Sequence, residues 1–285
     1  MRARSIIADT FRFLLGNRQL VLLWSAVFLA LSMVMIFTTR PMLAQFPHFQ
    51  PGVPPALLLR TLVLNLITMA VMVVLVAAAM RAVLRPEDSA PGKMRLSLDE
   101  VRLVGLGLIV TIGCYLAVLI AFAIVMLLAV GLGLLAKPLG VAIGIILGIP
   151  VLLAPIYVLT RLSLAGPLTL LRGKIIIGDA WRLSAGAFWP LFRLYLIIGI
   201  VTFLLVVVAM LLFTPEVFQL YLHPFDPKRI AALQARSTEA GPSPWLLLNA
   251  VVGALTGGVM TALQGGSVAL AAQELLAARR LDQEA

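Results

Sequence analysis

Six stretches of this 285-residue chain are apolar for long enough to cross a lipid bilayer, and that single feature excludes most folds. They lie at about 20–38, 58–80, 103–133, 139–160, 191–213 and 245–271. A hydrocarbon core ~30 Å thick takes ~20 helical residues to cross. Backbone amides inside it must be satisfied within the segment, which here means helices. Composition agrees: 62% of residues are hydrophobic and 12% charged, against ~45–50% and ~25% in soluble domains. A water-soluble fold of this length could not hide so much apolar surface. The expected fold is all-α: one polytopic transmembrane helix bundle of about six spans, with short interfacial amphipathic helices and no soluble catalytic domain.

The charges predict an orientation. The net charge is +10, but the basic residues flank apolar spans, so the positive-inside rule accounts for them better than nucleic-acid binding does. The N-terminal segment carries Arg2, Arg4, Arg12 and Arg18. The second-to-third connection carries Arg81, Arg85, Lys93, Arg95 and Arg102, and the fourth-to-fifth carries Arg161, Arg172, Lys174, Arg182 and Arg193. With Arg279 and Arg280 in the tail, one side holds sixteen of the 22 cations. The other holds Arg40, Arg60, Lys137, Lys228, Arg229 and Arg236. Both termini are therefore expected in the cytoplasm. The first span is longer than a secretory h-region and lacks a good cleavage site, so it reads as a retained helix.

The connections differ in character. Lys137-Pro138 predicts a tight turn that makes the third and fourth spans an antiparallel hairpin. Residues 39–57 hold Pro41, Pro47, Pro51, Pro54 and Pro55, which argue against regular helix and for an ordered outer loop. Residues 81–100 are polar and read as a mobile linker. In 214–244, Thr214-Pro215 and Asp226-Pro227 each place an N-cap before a proline, predicting two short outer helices. Residues 4–18 and 175–193 look amphipathic and are expected along the inner leaflet; the other reading is that they are helix entry segments packed on their neighbours. In the first, Ile7, Phe11, Leu14 and Leu15 share the apolar face. Around the second, Arg161, Arg172, Lys174 and Arg182 with Trp181 and Trp189 are the candidate contacts for anionic lipid, because Trp favours the headgroup level and Arg anionic lipid.

Helix association in lipid relies on close packing. The last span repeats small residues every four positions: Gly253, Gly257, Thr261 and Gly265, with Gly258 and Gly266 in the adjacent row. The fourth span has Gly140, Gly144 and Gly148 at the same spacing, which makes it the expected partner; a homodimer face is the other reading. Pro150 and Pro155 predict a kink or break in the fourth span. Asn65 and Gln264 read as interhelical hydrogen-bond partners. No Asp, Glu, Lys or Arg falls near the middle of a span, which counts against ion-coupled transport.

Motifs of chemistry fail on inspection. Gly166 to Lys174 has six residues between its glycines, not four, and Ile175 stands where a phosphate loop needs Ser or Thr. Gly265-Gly266-Ser267 lacks the closing glycine of a nucleophile elbow, because residue 269 is Ala. The only histidines, His48 and His223, fall in outer segments. The single Cys114 sits in an apolar run and pairs with nothing. The expectation is no catalytic residue, no metal and no cofactor.

Two segments carry a resemblance. One is Ile7-Ala8-Asp9-Thr10-Phe11-Arg12-Phe13-Leu14-Leu15, leading into the first span. The other is Arg161-Leu162-Ser163-Leu164-Ala165-Gly166-Pro167 followed by 178–189, Gly-Asp-Ala-Trp-Arg-Leu-Ser-Ala-Gly-Ala-Phe-Trp. With six spans, the chain resembles the glycerophosphoryl diester phosphodiesterase membrane domain family and related bacterial inner-membrane proteins. The soluble phosphodiesterase of that family uses a His-Arg-Gly motif, but here His48 precedes Phe49 and His223 precedes Pro224. The resemblance thus implies the membrane module without the enzyme, in a bacterial inner membrane. The expected function is a non-enzymatic scaffold or regulatory module in lipid or envelope metabolism, with membrane lipids and an unidentified membrane protein as partners. The alternative is a channel or facilitator for a lipid-like or small solute.

Overall fold

A computed structural model describes residues 3–43, 55–88, 90–95, 97–213 and 244–284. The described residues are helical, with no strand among them. The helices are α1 (Ala3–Gly16), α2 (Arg18–Leu43), α3 (Pro55–Leu84), α4 (Leu98–Leu135), α5 (Lys137–Leu162), α6 (Ala165–Arg172), α7 (Gly178–Leu183), α8 (Phe188–Phe213) and α9 (Pro244–Glu284). Six of them, α2, α3, α4, α5, α8 and α9, are long and apolar enough to cross a membrane. The chain therefore has the character of a multi-pass membrane protein. Their outer faces need lipid: Leu134 and Leu135 are 84% and 80% exposed, a surface that water would not tolerate over whole helices.

The chain divides into two compact units. One comprises Met1–Ile6, Leu96–Tyr195 and Val268–Ala285, the other Ile7–Arg95 and Leu196–Ser267. In the first, α4 and α5 form the predicted hairpin. Ala136 alone separates them, in an extended conformation (φ −155°, ψ 118°). The two backbones nearly touch there: a Cβ on Gly140 would lie 2.7 Å from Gly133 Cα. α4 opens with a capping box, Ser97 and Glu100 satisfying each other's backbone and side-chain groups. α5 continues as one helix through Pro150 and Pro155; of the kink or break expected there, the break is absent.

The second unit has its core around Trp24, Leu75, Ala78, Ala79 and Ala262, with Phe13, Phe28 and Met94 packed against it. The small-residue face of α9 is filled here. A Cβ on Gly257 would meet the Phe28 ring at 3.0 Å, on Gly258 the Val21 carbonyl at 2.8 Å, on Gly265 the Ala79 Cβ at 2.6 Å, and on Gly266 the Phe13 ring at 2.9 Å. α1, α2 and α3 thus supply its partners, where the spacing pointed to the fourth span. In the other unit, Gly140 and Gly144 face Gly133 and Ala129 of α4, while Gly148, like Gly253, faces open space.

Several local expectations are corrected. α2 continues to Leu43, past Pro41, and α3 begins at Pro55, so helix flanks residues 44–54; those residues and the two short helices expected in 214–244 lie outside the described residues. In α1 the buried positions are Ile6 and Thr10, with Phe13 and Leu14 against the core, whereas Leu15 is exposed. Residues 175–193 are not one interfacial helix. α7 ends at Leu183, and Phe188, Trp189 and Phe192 belong to the first turns of spanning α8. Asn65 donates to Thr61 O of its own helix at 2.8 Å, and Thr68 to Leu64 O at 2.8 Å. A short side chain reaches the carbonyl one turn back more readily than a neighbouring helix.

The largest correction concerns the linker after α3. Residues 85–88 and 90–95 are tied down by a clasp. Arg81, fully buried, donates from Nη1 to Lys93 O at 3.0 Å. Trp24 Nε1 donates to Gly92 O at 3.0 Å. Lys93 Nζ donates to Pro86 O at 2.6 Å and to Asp88 O. Gly92 and Lys93 both have φ near +59°, which costs a non-glycine residue about 1 kcal/mol; the bonds to Lys93 offset it. At Gly92 a side chain has no room either, since its Cβ would lie 2.6 Å from Leu23.

Asp88 closes the clasp. Its Oδ1 accepts from Ala90 N at 3.2 Å, and Arg95 lies 3.5 Å from Oδ2. The Ala90 amide holds the carboxyl below its ordinary value of 3.8; burial opposes this, and the charges of Arg95, Arg81 and Lys93 reinforce it. A depressed folded-state value means that the stabilisation is complete above pH 3.8 and vanishes as the pH falls through the lower folded value. Asp88→Asn should therefore lower thermal stability at pH 7 and make almost no difference near the foot of the acid limb. Equal losses at both pH values would contradict the clasp.

Candidate functional site

The sequence-predicted residues Arg161, Arg172, Lys174, Arg182, Trp181 and Trp189 all fall in the first unit, between the last turn of spanning α5 and the first turn of spanning α8. Three local devices build it. Gly173 ends α6 in the left-handed conformation (φ 64°) with its N–H on Thr169 O, the conformation that glycine adopts without steric cost. Ile176 N then donates to Thr169 Oγ1 at 3.4 Å, which folds the chain back into α7. An Arg172–Asp179 ion pair closes the turn.

Arg161, at the end of α5, is the centre of the segment. Its Nε donates to Ser184 Oγ at 3.2 Å, its Nη1 to Tyr157 Oη at 3.2 Å, and its Nη2 to Trp181 O. The guanidinium carbon sits 3.9 Å from the Trp181 ring centroid and 5.7 Å from that of Tyr157. Arginine's planar fork allows stacking and several directed bonds together. Arg279 of α9 donates to the neighbouring carbonyl of Arg182. Two arginines thus satisfy the last carbonyls of α7, where positive charge is favoured. Around them runs a chain of rings: Tyr157 to Phe188 at 4.9 Å, Phe188 to Trp189 at 5.3 Å, and Trp189 to Phe192 at 6.0 Å. Behind them, Ser163 Oγ and Tyr195 Oη are 2.7 Å apart.

The six candidates therefore separate. Arg161 and Arg172 are taken up by protein acceptors. Lys174 and Arg182 are exposed, and their side chains have no hydrogen bond, ion pair or ring contact among the described residues. The same is true of Arg193 on α8, which joins them; its signal in the sequence is its place four residues after Trp189, on the same helical face. The capping box at Ser97 was also legible as Ser-x-x-Glu.

The second unit holds a groove of about 430 Å³, lined by Phe28, Leu31, Ser32, Met35, Ile36, Thr68, Leu246, Asn249 and Ala250. Its walls are apolar apart from Ser32, Thr68 and Asn249. Asn249 Oδ1 is buried there without a hydrogen-bond partner, a costly state for a carbonyl-type acceptor. Among the described residues no three of His, Cys, Asp and Glu group at metal-holding distance; His48 and His223 lie outside the described residues.

No protein-family model matches the chain, and no curated protein or solved structure is measurably similar to it.

Proposed function

We propose that this chain is a non-enzymatic membrane module, a scaffold or regulator in lipid or envelope metabolism, set in a bacterial inner membrane with both termini in the cytoplasm. The resemblance to the glycerophosphoryl diester phosphodiesterase membrane domain is part of this proposal. The observation that carries it is the filled glycine face of α9 in the second unit. Phe28, Ala79 and Phe13 close the glycine face of α9, and the polar side chains Asn65, Thr68 and Thr202 bond to their own helix. That packing suits a rigid platform better than a polar pathway. Sixteen cations on the terminal side of the spans support the orientation.

Affinity purification of the full chain in mild detergent tests the module reading. The expected result is a stoichiometric membrane-protein companion. Purified chain that on its own moves solute across vesicles, or hydrolyses a glycerophosphodiester, would overturn it. Tags at the two ends should label only from the cytoplasmic side.

The groove favours a second reading, a facilitator for a lipid-like solute, with Asn249 Oδ1 accepting from a hydroxyl or amide donor. On that reading Ala250→Trp, which fills the groove, slows movement of a labelled lipid in proteoliposomes; unchanged movement would remove it.

A further inference from the structure

The cations on and against the α5–α8 connection fall into two classes, and the division names a ligand. Arg161, Arg172 and Arg279 spend their guanidinium groups on Ser184, Trp181, Asp179 and the Arg182 carbonyl. Lys174, Arg182 and Arg193 are exposed and unspent among the described residues. We infer that Lys174, Arg182 and Arg193, with the exposed rings of Trp181 and Trp189, form a docking surface for the phosphate headgroup of an anionic phospholipid. The inference deepens the reading of the chain as a lipid-associated module and rests on it.

Three observations carry it. First, the segment joins two spanning helices, so it lies at a bilayer surface, where lipid headgroups are the nearest phosphates. Second, no acid among the described residues pairs with these three side chains. Asp179 is occupied by Arg172 and Asp99 by Arg102 at 3.0 Å, so Lys174 between α6 and α7, Arg182 on α7 and Arg193 on α8 keep their charge for an anion. Third, the cations come with interfacial aromatics. Trp189 is 63% exposed and Trp181 36%. Trp189 and Arg193 share a face of α8, and Arg182 follows Trp181 in α7. Indole rings settle at the glycerol and headgroup level, so they set the depth at which the cations meet phosphate. The Arg161 stack holds Trp181 in place and acts as a positioning element rather than a lipid contact.

The full chain, purified in mild detergent, is titrated with phosphatidylglycerol or phosphatidylcholine, and bound lipid is counted by native mass spectrometry. Each cation near an anionic surface contributes about fivefold in affinity. Wild type should prefer phosphatidylglycerol, and Lys174→Gln/Arg182→Gln/Arg193→Gln should lower that preference by roughly 100-fold. Arg182→Lys/Arg193→Lys, which keeps the charges, should retain most of it. Should the triple variant not fold, Arg193→Gln alone is read for its fivefold loss. Exposed charges are screened by salt, so the wild-type preference should also weaken as ionic strength rises. Wild type without a preference, folded variants with an unaltered one, or displacement of the lipid by inorganic phosphate at matched concentration would each overturn the inference. Companion proteins captured with the triple variant report on the module reading alone, so the two fail separately.

Discussion

Gly140→Ala should lower the stability of the protein in detergent by about 3 kcal/mol, the upper end of the usual cost of overpacking. The reason is what the new methyl group meets. Its nearest neighbours are the Ala129 carbonyl, Gly133 Cα at 2.7 Å and Gly133 N at 3.0 Å. All three are backbone, and a backbone inside a helix cannot rotate away as a side chain can. The α4–α5 hairpin would have to part along the line where Gly133 and Gly140 lie against each other. In a chain of this size, that corresponds to a fall of roughly 5–10 °C in the unfolding midpoint. Gly148→Ala is the matched control on the same helix. It meets nothing within 4 Å, and alanine's better helix propensity offers a gain of up to about 1 kcal/mol. If the two variants unfold together, the close approach of the two helices is not present in solution.

The second large effect is at Arg81. As a cation of a mobile linker it would be replaceable at almost no cost, within about 0.5 kcal/mol. In the folded chain it is fully buried, bonded to Lys93 O, and its charge helps keep Asp88 ionised. Arg81→Met keeps an apolar stem and removes the donors. Lys93 O loses its bond, Asp88 loses one cation, and the left-handed turn at Gly92 and Lys93 loses its main support. Truncating one member of a buried charged network costs about 3 kcal/mol. Hydrogen exchange across 85–95 should accelerate along with the drop in unfolding temperature. Arg81→Lys should recover only part of the loss, because an ammonium lacks the fork. A variant that unfolds like wild type, with unchanged exchange at Gly92 and Lys93, would show that the clasp does not hold this segment.

Much of the architecture is legible without coordinates because it is written in long repeats. Each spanning segment carries its signal over ~20 residues, so a few exceptions such as Pro41 or Pro150 do not erase it. The hairpin at Lys137-Pro138 is legible because so short a connection between two rigid helices leaves only an antiparallel return. Shorter signals fared worse. The apolar face of α1 was misread by about a quarter turn, since Ile6 and Ile7 are equally apolar and only packing chooses Ile6. Residues 175–193 looked like one amphipathic stretch because the same aromatic residues serve an interfacial helix and the first turn of a span.

The candidate site shows the same boundary. Its location and its residue types follow from Arg and Trp beside spans. Which arginine faces inward does not follow, because Arg161, Arg172 and Arg182 are chemically identical in a string of letters. Their roles depend on where Ser184, Trp181 O and Asp179 come to rest.

From the sequence alone come the helical class, the six apolar segments, their order, and the uneven distribution of cations. These are sums over many residues, set by hydration and by the need to satisfy backbone amides in lipid. The tertiary structure decided which helix fills each glycine face, that Arg81 is buried and the linker held, and which cations are left free. Those outcomes turn on contacts of 3–4 Å between residues distant in the chain, where several partners are equally suited by type and only geometry selects one.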